Sequence, residues 1–342
     1  NADSSCNRPP VLMAHGLAGG GAQFILNPPE SSPAFILADA GFDVFILNHR
    51  GTTYGKRHQT LYPWNNKFWQ FTLDEFAKYD TPACIDKVLE LTGASGTYWV
   101  GHSQGTIVGF MTLAENPSYN AKVKGLFQVA PAGTAGYAKG FSRFGYFAYE
   151  TLKWLPDVRL AFSSLKFTFR YSAKRFTLIA AHKICVAQIQ VCKDYMHLLF
   201  GPTTKMFNIS RAPVYLSHIP CGSSTWNFLH WAQMATHLKV EHMDHNPEEN
   251  MRRYGQVTAP PYNYSLIDSP IYLYWSKNDW LATPEDVERV ILKTVRKEVV
   301  KGGVELDDYN HIDYMVATNI ADTVFKPIAE TVRSLEKNMC SS

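Results

Sequence analysis

Short apolar runs recur along this chain, and most of them end in a glycine-rich or polar turn. Pro10-Val11-Leu12-Met13-Ala14 leads into His15-Gly16-Leu17, and Thr97-Tyr98-Trp99-Val100 leads into Gly101-His102-Ser103-Gln104-Gly105. Gly125-Leu126-Phe127-Gln128-Val129-Ala130 is a third run. A fourth, Ser269 to Trp275, is followed by Ser276-Lys277-Asn278-Asp279. The valine-rich stretch Lys297 to Leu306, interrupted by Gly302 and Gly303, ends in Asp307-Asp308-Tyr309-Asn310-His311. Unbroken apolar runs bounded by turn residues predict strands buried on both faces. Because helical stretches such as Thr106-Ile107-Val108-Gly109-Phe110 separate them, the pattern predicts an α/β fold with a mostly parallel central sheet flanked by helices. Every long apolar stretch is broken by histidine, lysine or glycine, well short of the roughly 20 residues of a membrane span.

Chemistry enters at the second run. A serine between glycines, placed where a strand turns sharply into a helix, is a nucleophile elbow: the strained turn needs neighbours without bulk, and the helix start offers backbone N–H groups to an oxyanion. Ser103 is therefore the candidate nucleophile. A serine hydroxyl attacks poorly until an imidazole takes its proton, and a carboxylate must orient that imidazole and stabilise its charged form. Asp279, in the loop after the fourth run, and His311, in the loop after the fifth, follow the serine in the expected chain order. Asp307, Asp308 and Asp313 crowd His311 in sequence but share its own loop or helix start, so Asp279, arriving from the neighbouring strand, is the expected partner. The loop at His15-Gly16-Leu17 supplies the second oxyanion donor, which makes the backbone N–H groups of Leu17 and Gln104 the expected pair.

Composition narrows the class. With 342 residues and 46% apolar content the chain can bury a large core, and a net charge of +3 is too weak and diffuse to argue for nucleic acid. His15 and His102 belong to turn motifs, and no pattern such as H-E-x-x-H suggests a metal, so no metal is expected. Six cysteines, Cys6, Cys84, Cys185, Cys192, Cys221 and Cys340, permit disulfides, and Cys185 and Cys192 are close enough to staple one loop. Asn208-Ile209-Ser210 and Asn263-Tyr264-Ser265 are glycosylation sequons, which suggest a lumenal or secreted protein. The chain begins at Asn1 without a signal-like segment, as a processed chain or a fragment does.

Between the third and fourth runs lies far more chain than a plain elbow-bearing α/β enzyme needs, and the excess reads as a cap. From Tyr137 to Phe200 it holds ten Lys/Arg against Glu150, Asp157 and Asp194, with aromatics interleaved. Such a stretch suits docking on a lipid surface, where rings sit at the interface and cations meet anionic headgroups. It equally suits the core aromatics and solvated charges of a helical subdomain.

The sequence resembles the acid lipase family of α/β hydrolases, the group of lysosomal acid lipase and gastric lipase, over nearly its whole length. The resemblance rests on His15-Gly16-Leu17, on Ala34 to Gly41, on Asn48-His49-Arg50-Gly51, on Phe68-Trp69 with Ala77-Lys78-Tyr79-Asp80, and on Gly101 to Thr106. Later matches are Tyr215-Leu216-Ser217-His218, Trp226 to Trp231, Asn278 to Ala282 and Tyr309 to Tyr314. It implies an α/β-hydrolase fold with a largely helical cap and lid, divided as core 1–132, cap and lid 133–262, and core 263–342. It implies the triad Ser103, Asp279 and His311 with Leu17 and Gln104 as oxyanion donors. The implied activity is hydrolysis of neutral lipid esters, triacylglycerols or steryl esters, at a lipid–water interface, without cofactor or obligatory protein partner, in the lysosomal lumen or outside the cell. Three features depart from the family. Family members carry strands ahead of the one at Val11 where only the short, polar Asn1 to Arg8 stands here, so that part of the sheet is expected to be missing or contributed otherwise; the cap cysteines Cys185 and Cys192 are closer than usual, and Cys221 replaces a small apolar residue. Two other readings of the same chain are a soluble carboxylesterase for small esters and a lipid-binding protein that keeps the fold without turnover.

Overall fold

In the computed structural model, which describes residues 6–140, 187–202, 204–337 and 339 together with positions 143 and 183, the apolar runs form one six-stranded sheet. The strands are β1 (Pro10–Ala14), β2 (Asp43–Ile46), β3 (Thr97–His102), β4 (Val123–Val129), β5 (Ile271–Ser276) and β6 (Val300–Leu306). Their spatial order is β2-β1-β3-β4-β5-β6, and every neighbouring pair is parallel. Central strands β1 and β3 are buried at every residue, which is why they read as unbroken apolar runs. The fifth run was expected to be extended from Lys297, but Lys297–Val299 forms a helical turn and pairing starts where Val300 meets Ile271, the first residue of β5. β2 lies at one edge of the sheet, half-buried along its length, and no strand pairs beyond it among the described residues.

Helices cover the sheet: α1 (Pro33–Asp39), α2 (Leu73–Glu75), α3 (Thr81–Thr92) and α4 (Gln104–Glu115). Helix α2 starts on a capping box, Thr72 accepting from the following turn while the Glu75 carboxylate takes the Thr72 N–H at 2.7 Å. Helix α4 lies flush on the sheet because two of its residues are glycines. A Cβ on Gly105 would stand 2.2 Å from the Ala14 carbonyl oxygen, and one on Gly109 would stand 2.6 Å from Trp99 Nε1. The Trp99 indole N–H then donates to the Gly105 carbonyl at 3.1 Å.

Between β4 and β5 the described chain forms α5 (Ile189–Phe200), α6 (Ala212–His218), α7 (Thr225–His237) and α8 (Pro247–Tyr254). The chain leaves β4 under firm control: the buried Asp286 carboxylate accepts the N–H groups of Gly133, Thr134 and Ala135 at 2.8–3.1 Å. Further on, Asp74 collects Tyr262 Oη at 2.8 Å, the Met243 N–H at 3.0 Å and Tyr254 Oη at 3.2 Å, tying the core to the segment around α8. Burial works against the Asp74 charge, but His230, His242 and these donors outweigh it and hold the carboxyl well below its usual range. Cys6 is disulfide-bonded, its partner lying outside the described side chains, while Cys84 is a free thiol and the buried Cys221 Sγ lies 3.4 Å from Thr53 Oγ1. Cys185 and most of the basic, aromatic stretch after Gly140 lie outside the described residues, as does the side chain of Cys192. No helix among the described residues is long and apolar enough to cross a membrane.

Candidate active site

All six strands run the same way, so the loops leaving their carboxyl ends share one edge of the sheet, where α/β folds form their sites. At that edge β3 ends in His102, and Ser103 takes φ 52° and ψ −118° before α4 begins. A left-handed φ at a serine is strained, and here it lifts the side chain clear of both strand and helix. From the loop after β6, His311 Nε2 lies 2.7 Å from Ser103 Oγ. From the loop after β5, Asp279 places Oδ2 at 2.8 Å and Oδ1 at 3.0 Å from His311 Nδ1.

The Asp279 side chain is fully buried, and its Oδ1 also accepts the N–H groups of Leu281 and Ala282, each at 2.8 Å. A carboxylate held by two backbone donors has a fixed rotamer, and so has the imidazole bonded to it. The three rival acids turn away. Asp307 is exposed, Asp308 accepts from Asn278 Nδ2 at 3.2 Å, and Asp313 accepts the Asn310 N–H at 2.9 Å. Burial pushes the Asp313 carboxyl up to about 6.

Of the two expected oxyanion residues, Gln104 follows the serine directly, and Leu17 is next to Gly16, where a Cβ would stand 3.2 Å from Ser103 Cβ. Gln104 opens α4, where backbone N–H groups have no partner within the helix, and Leu17 sits in the half-buried loop after β1. The Leu17 loop is fixed from below. His15 Nδ1 donates to the Gly16 carbonyl at 2.9 Å, and its Nε2 accepts the His49 N–H at 3.2 Å, which settles the tautomer. Gln23 then bridges loop and elbow: its Oε1 accepts the Gly16 N–H at 3.3 Å, and its Nε2 donates to His102 Nδ1 at 3.1 Å. His102 uses its other nitrogen to donate to the His311 carbonyl at 3.3 Å. Burial holds His102 and His15 down to about 3 and about 4, so both rings stay neutral beside His311.

Two elements from the segment between β4 and β5 touch these residues. The last residue of α5, Phe200, accepts the His311 N–H at 3.2 Å and stacks on its ring at 6.4 Å. On the other side, Gln104 Oε1 receives Asn227 Nδ2 at 2.8 Å and Trp231 Nε1 at 2.9 Å, both from α7. An indole nitrogen only donates, so this contact fixes the Gln104 amide with its oxygen toward α7. Gln23, His102, Asn227 and Trp231 had no part in the chemistry read from the sequence, because each acts across a long sequence separation that no local motif spans. Of the remaining candidates, Asn263 is exposed and Asn208 half-buried, each side-chain oxygen accepting its sequon serine hydroxyl at 2.7 Å. Among the described residues no three His, Cys, Asp or Glu side chains converge as a metal site.

The arrangement is one that can carry a proton from a hydroxyl to an imidazole and stabilise negative charge two bonds away. The sequence profile of the α/β hydrolase fold family matches residues 9–176. The lipase lipl-1 of Caenorhabditis elegans is 36% identical over 96% of this chain and 80% of its own length. Human gastric triacylglycerol lipase is 34% identical over 98% of this chain and 83% of its own. Among solved structures, a monoacylglycerol lipase of Paleococcus ferrophilus superposes with a TM-score of 0.52 at 15% identity, over 97% of both chains, which speaks to the fold alone.

Proposed function

This chain belongs to the acid lipase family of α/β hydrolases, and from that membership we propose that it is a serine lipase hydrolysing carboxylic esters of neutral lipids, triacylglycerols or steryl esters. In this reading His311 Nε2 takes the Ser103 proton as Oγ attacks the ester carbonyl, and the Leu17 and Gln104 N–H groups receive the oxyanion. The imidazolium then protonates the departing alcohol, leaving an acyl group on Ser103. Water, activated by the same imidazole, releases the fatty acid and restores the serine. Asp279 stabilises the imidazolium and holds its tautomer.

The observation that carries the proposal is the continuous line from Asp279 Oδ2 through His311 to Ser103 Oγ, with links of 2.8 and 2.7 Å. A non-catalytic lipid carrier has no use for a poised nucleophile, which favours the enzyme over that alternative. We read residues 133–262 as the cap and lid over the site. The exposed sequon at Asn263 supports a lumenal or secreted, glycosylated protein. A fluorophosphonate probe should label the wild type on one serine, and Ser103→Ala should lose both labelling and ester turnover while unfolding at the same denaturant concentration. Near-full turnover in Ser103→Ala would remove the mechanism.

A further inference from the structure

The loop that follows β2 leaves the same carboxyl edge of the sheet as Ser103, and it carries aromatic rings into solvent. Tyr54, Tyr62 and Trp64 are 69%, 58% and 68% exposed. Tyr62 and Trp64 stack on one another with centroids 4.4 Å apart and planes within 6°. Single exposed hydrophobics are ordinary, but a stacked aromatic pair displayed on an active-site loop is not.

The loop beneath the pair is tightly built. Trp69 Nε1 donates to the Pro63 carbonyl at 2.7 Å, the Asn65 N–H donates to the Tyr62 carbonyl at 2.8 Å, and Asn65 Oδ1 takes the Lys67 N–H at 2.9 Å. Phe68 is buried below them, and Thr53 Oγ1 bonds the Cys221 carbonyl at 3.1 Å. The rings are therefore presented by a preformed scaffold, and little ordering entropy opposes their use. Charge points the same way. Between Gly51 and Leu73 the sequence holds Lys56, Arg57 and Lys67 and no aspartate or glutamate.

Aromatic rings with one polar edge favour the headgroup layer of a lipid surface, and neighbouring cations favour anionic headgroups. We propose that the loop of residues 53–67 docks the protein on lipid surfaces bearing anionic headgroups, with Tyr62 and Trp64 entering the headgroup layer and Lys56, Arg57 and Lys67 meeting the headgroup charge. This rests on the lipase reading and gives it a membrane-facing side: the site opens at the edge of the sheet that the loop brings to the interface.

The test is sedimentation with vesicles of phosphatidylcholine alone and of phosphatidylcholine containing about 30% phosphatidylserine. The wild type should bind the anionic vesicles more tightly, and salt of about 0.5 M should weaken that binding. Tyr62→Ser with Trp64→Ser should weaken it by more than about tenfold, and Lys67→Gln by about fivefold. Each variant should hydrolyse dissolved 4-nitrophenyl butyrate like the wild type and lose turnover on emulsified triolein in step with vesicle binding. Wild-type binding by the double variant, or no wild-type binding to either vesicle, overturns the proposal, as it would if the rings served a protein partner instead. Vesicle binding does not depend on Ser103 chemistry, so fluorophosphonate labelling separates a failure of this inference from a failure of the lipase reading.

Discussion

The Gln104 carbonyl oxygen is a shared acceptor, and sharing has a thermodynamic signature. Gln104, Asn227 and Trp231 are 1%, 0% and 5% exposed, so water does not replace a partner that is removed. Trp231→Phe keeps an aromatic ring but deletes the N–H at 2.9 Å, and Asn227→Leu keeps volume but deletes the donor at 2.8 Å. Either change alone leaves the oxygen one donor, so its hydrogen-bond term should be about 1 kcal/mol. Both together leave a buried carbonyl with neither α7 donor, which adds a desolvation cost of about 1–3 kcal/mol that neither single change incurs. The double variant should therefore be destabilised beyond the sum of the singles by about 1 kcal/mol or more. Urea unfolding at unchanged m-value measures this directly, and packing losses peculiar to each substitution cancel in the cycle. Because the Gln104 N–H is also the proposed oxyanion donor, the double variant should react more slowly with fluorophosphonate than either single. Additivity within about 0.5 kcal/mol would mean that the oxygen is not held jointly, and the argument from its burial would fail.

Other expectations follow from the site. Asp279→Asn should lower kcat by about 10⁴-fold, as loss of the orienting carboxylate does in other serine triads, whereas Asp308→Asn should leave it unchanged; equal losses would reassign the acid. Gln23→Met removes the bridge between the Gly16 N–H and His102, and should lower kcat for a dissolved ester by about tenfold, less than deleting an oxyanion donor, with KM unchanged; a loss of thermal stability alone would show a merely structural role. The Asp313 carboxyl is pushed up to about 6 in the fold, above its unfolded value near 4, so its contribution is complete below about pH 4 and is lost as pH rises through 6. Asp313→Asn should accordingly gain at most about 3 kcal/mol at pH 7 relative to pH 4, and a variant whose gain is the same at both values would refute the assignment. Across saturated nitrophenyl esters, kcat/KM should rise with acyl length at about 0.8 kcal/mol per buried methylene until the pocket fills; a peak at acetyl or butyryl would favour a soluble carboxylesterase.

How far the chain can be read without coordinates depends on what each residue answers to. β1, β3 and β5 are legible because a strand covered on both faces has to be apolar throughout, and the serine and aspartate are legible because each sits in the turn that ends such a strand, the histidine because it follows them in the expected chain order. β6 was placed with its start too early, since Lys297 to Leu306 mixes valine with charge and only pairing with Ile271 decides where the extended segment begins. Gln23 reaches His102 across 79 positions, and Trp231 reaches Gln104 across 127. Contacts of that kind leave no periodicity, and an isolated Gln after a glycine run looks like any loop residue. Tyr62 and Trp64 escaped notice for the opposite reason: a hydrophobic pattern speaks for burial, and exposure of a stacked pair becomes visible only once Trp69 and Phe68 are seen holding the loop from below.

The bonds from Phe200 to His311 and from α7 to Gln104 also constrain how a bulky ester can get in. A swing of the whole insertion away from the sheet would strip the histidine of one backbone anchor and the glutamine of both its donors at the moment the substrate arrived. The end of α5 and the body of α7 are thus better regarded as a stationary wall of the reaction chamber than as part of its door. Entry has to open through elements that do not hold the chemistry in register. An engineer seeking a different substrate range should vary the moving side and leave Asn227 and Trp231 alone, for substitutions there change the catalyst together with the doorway.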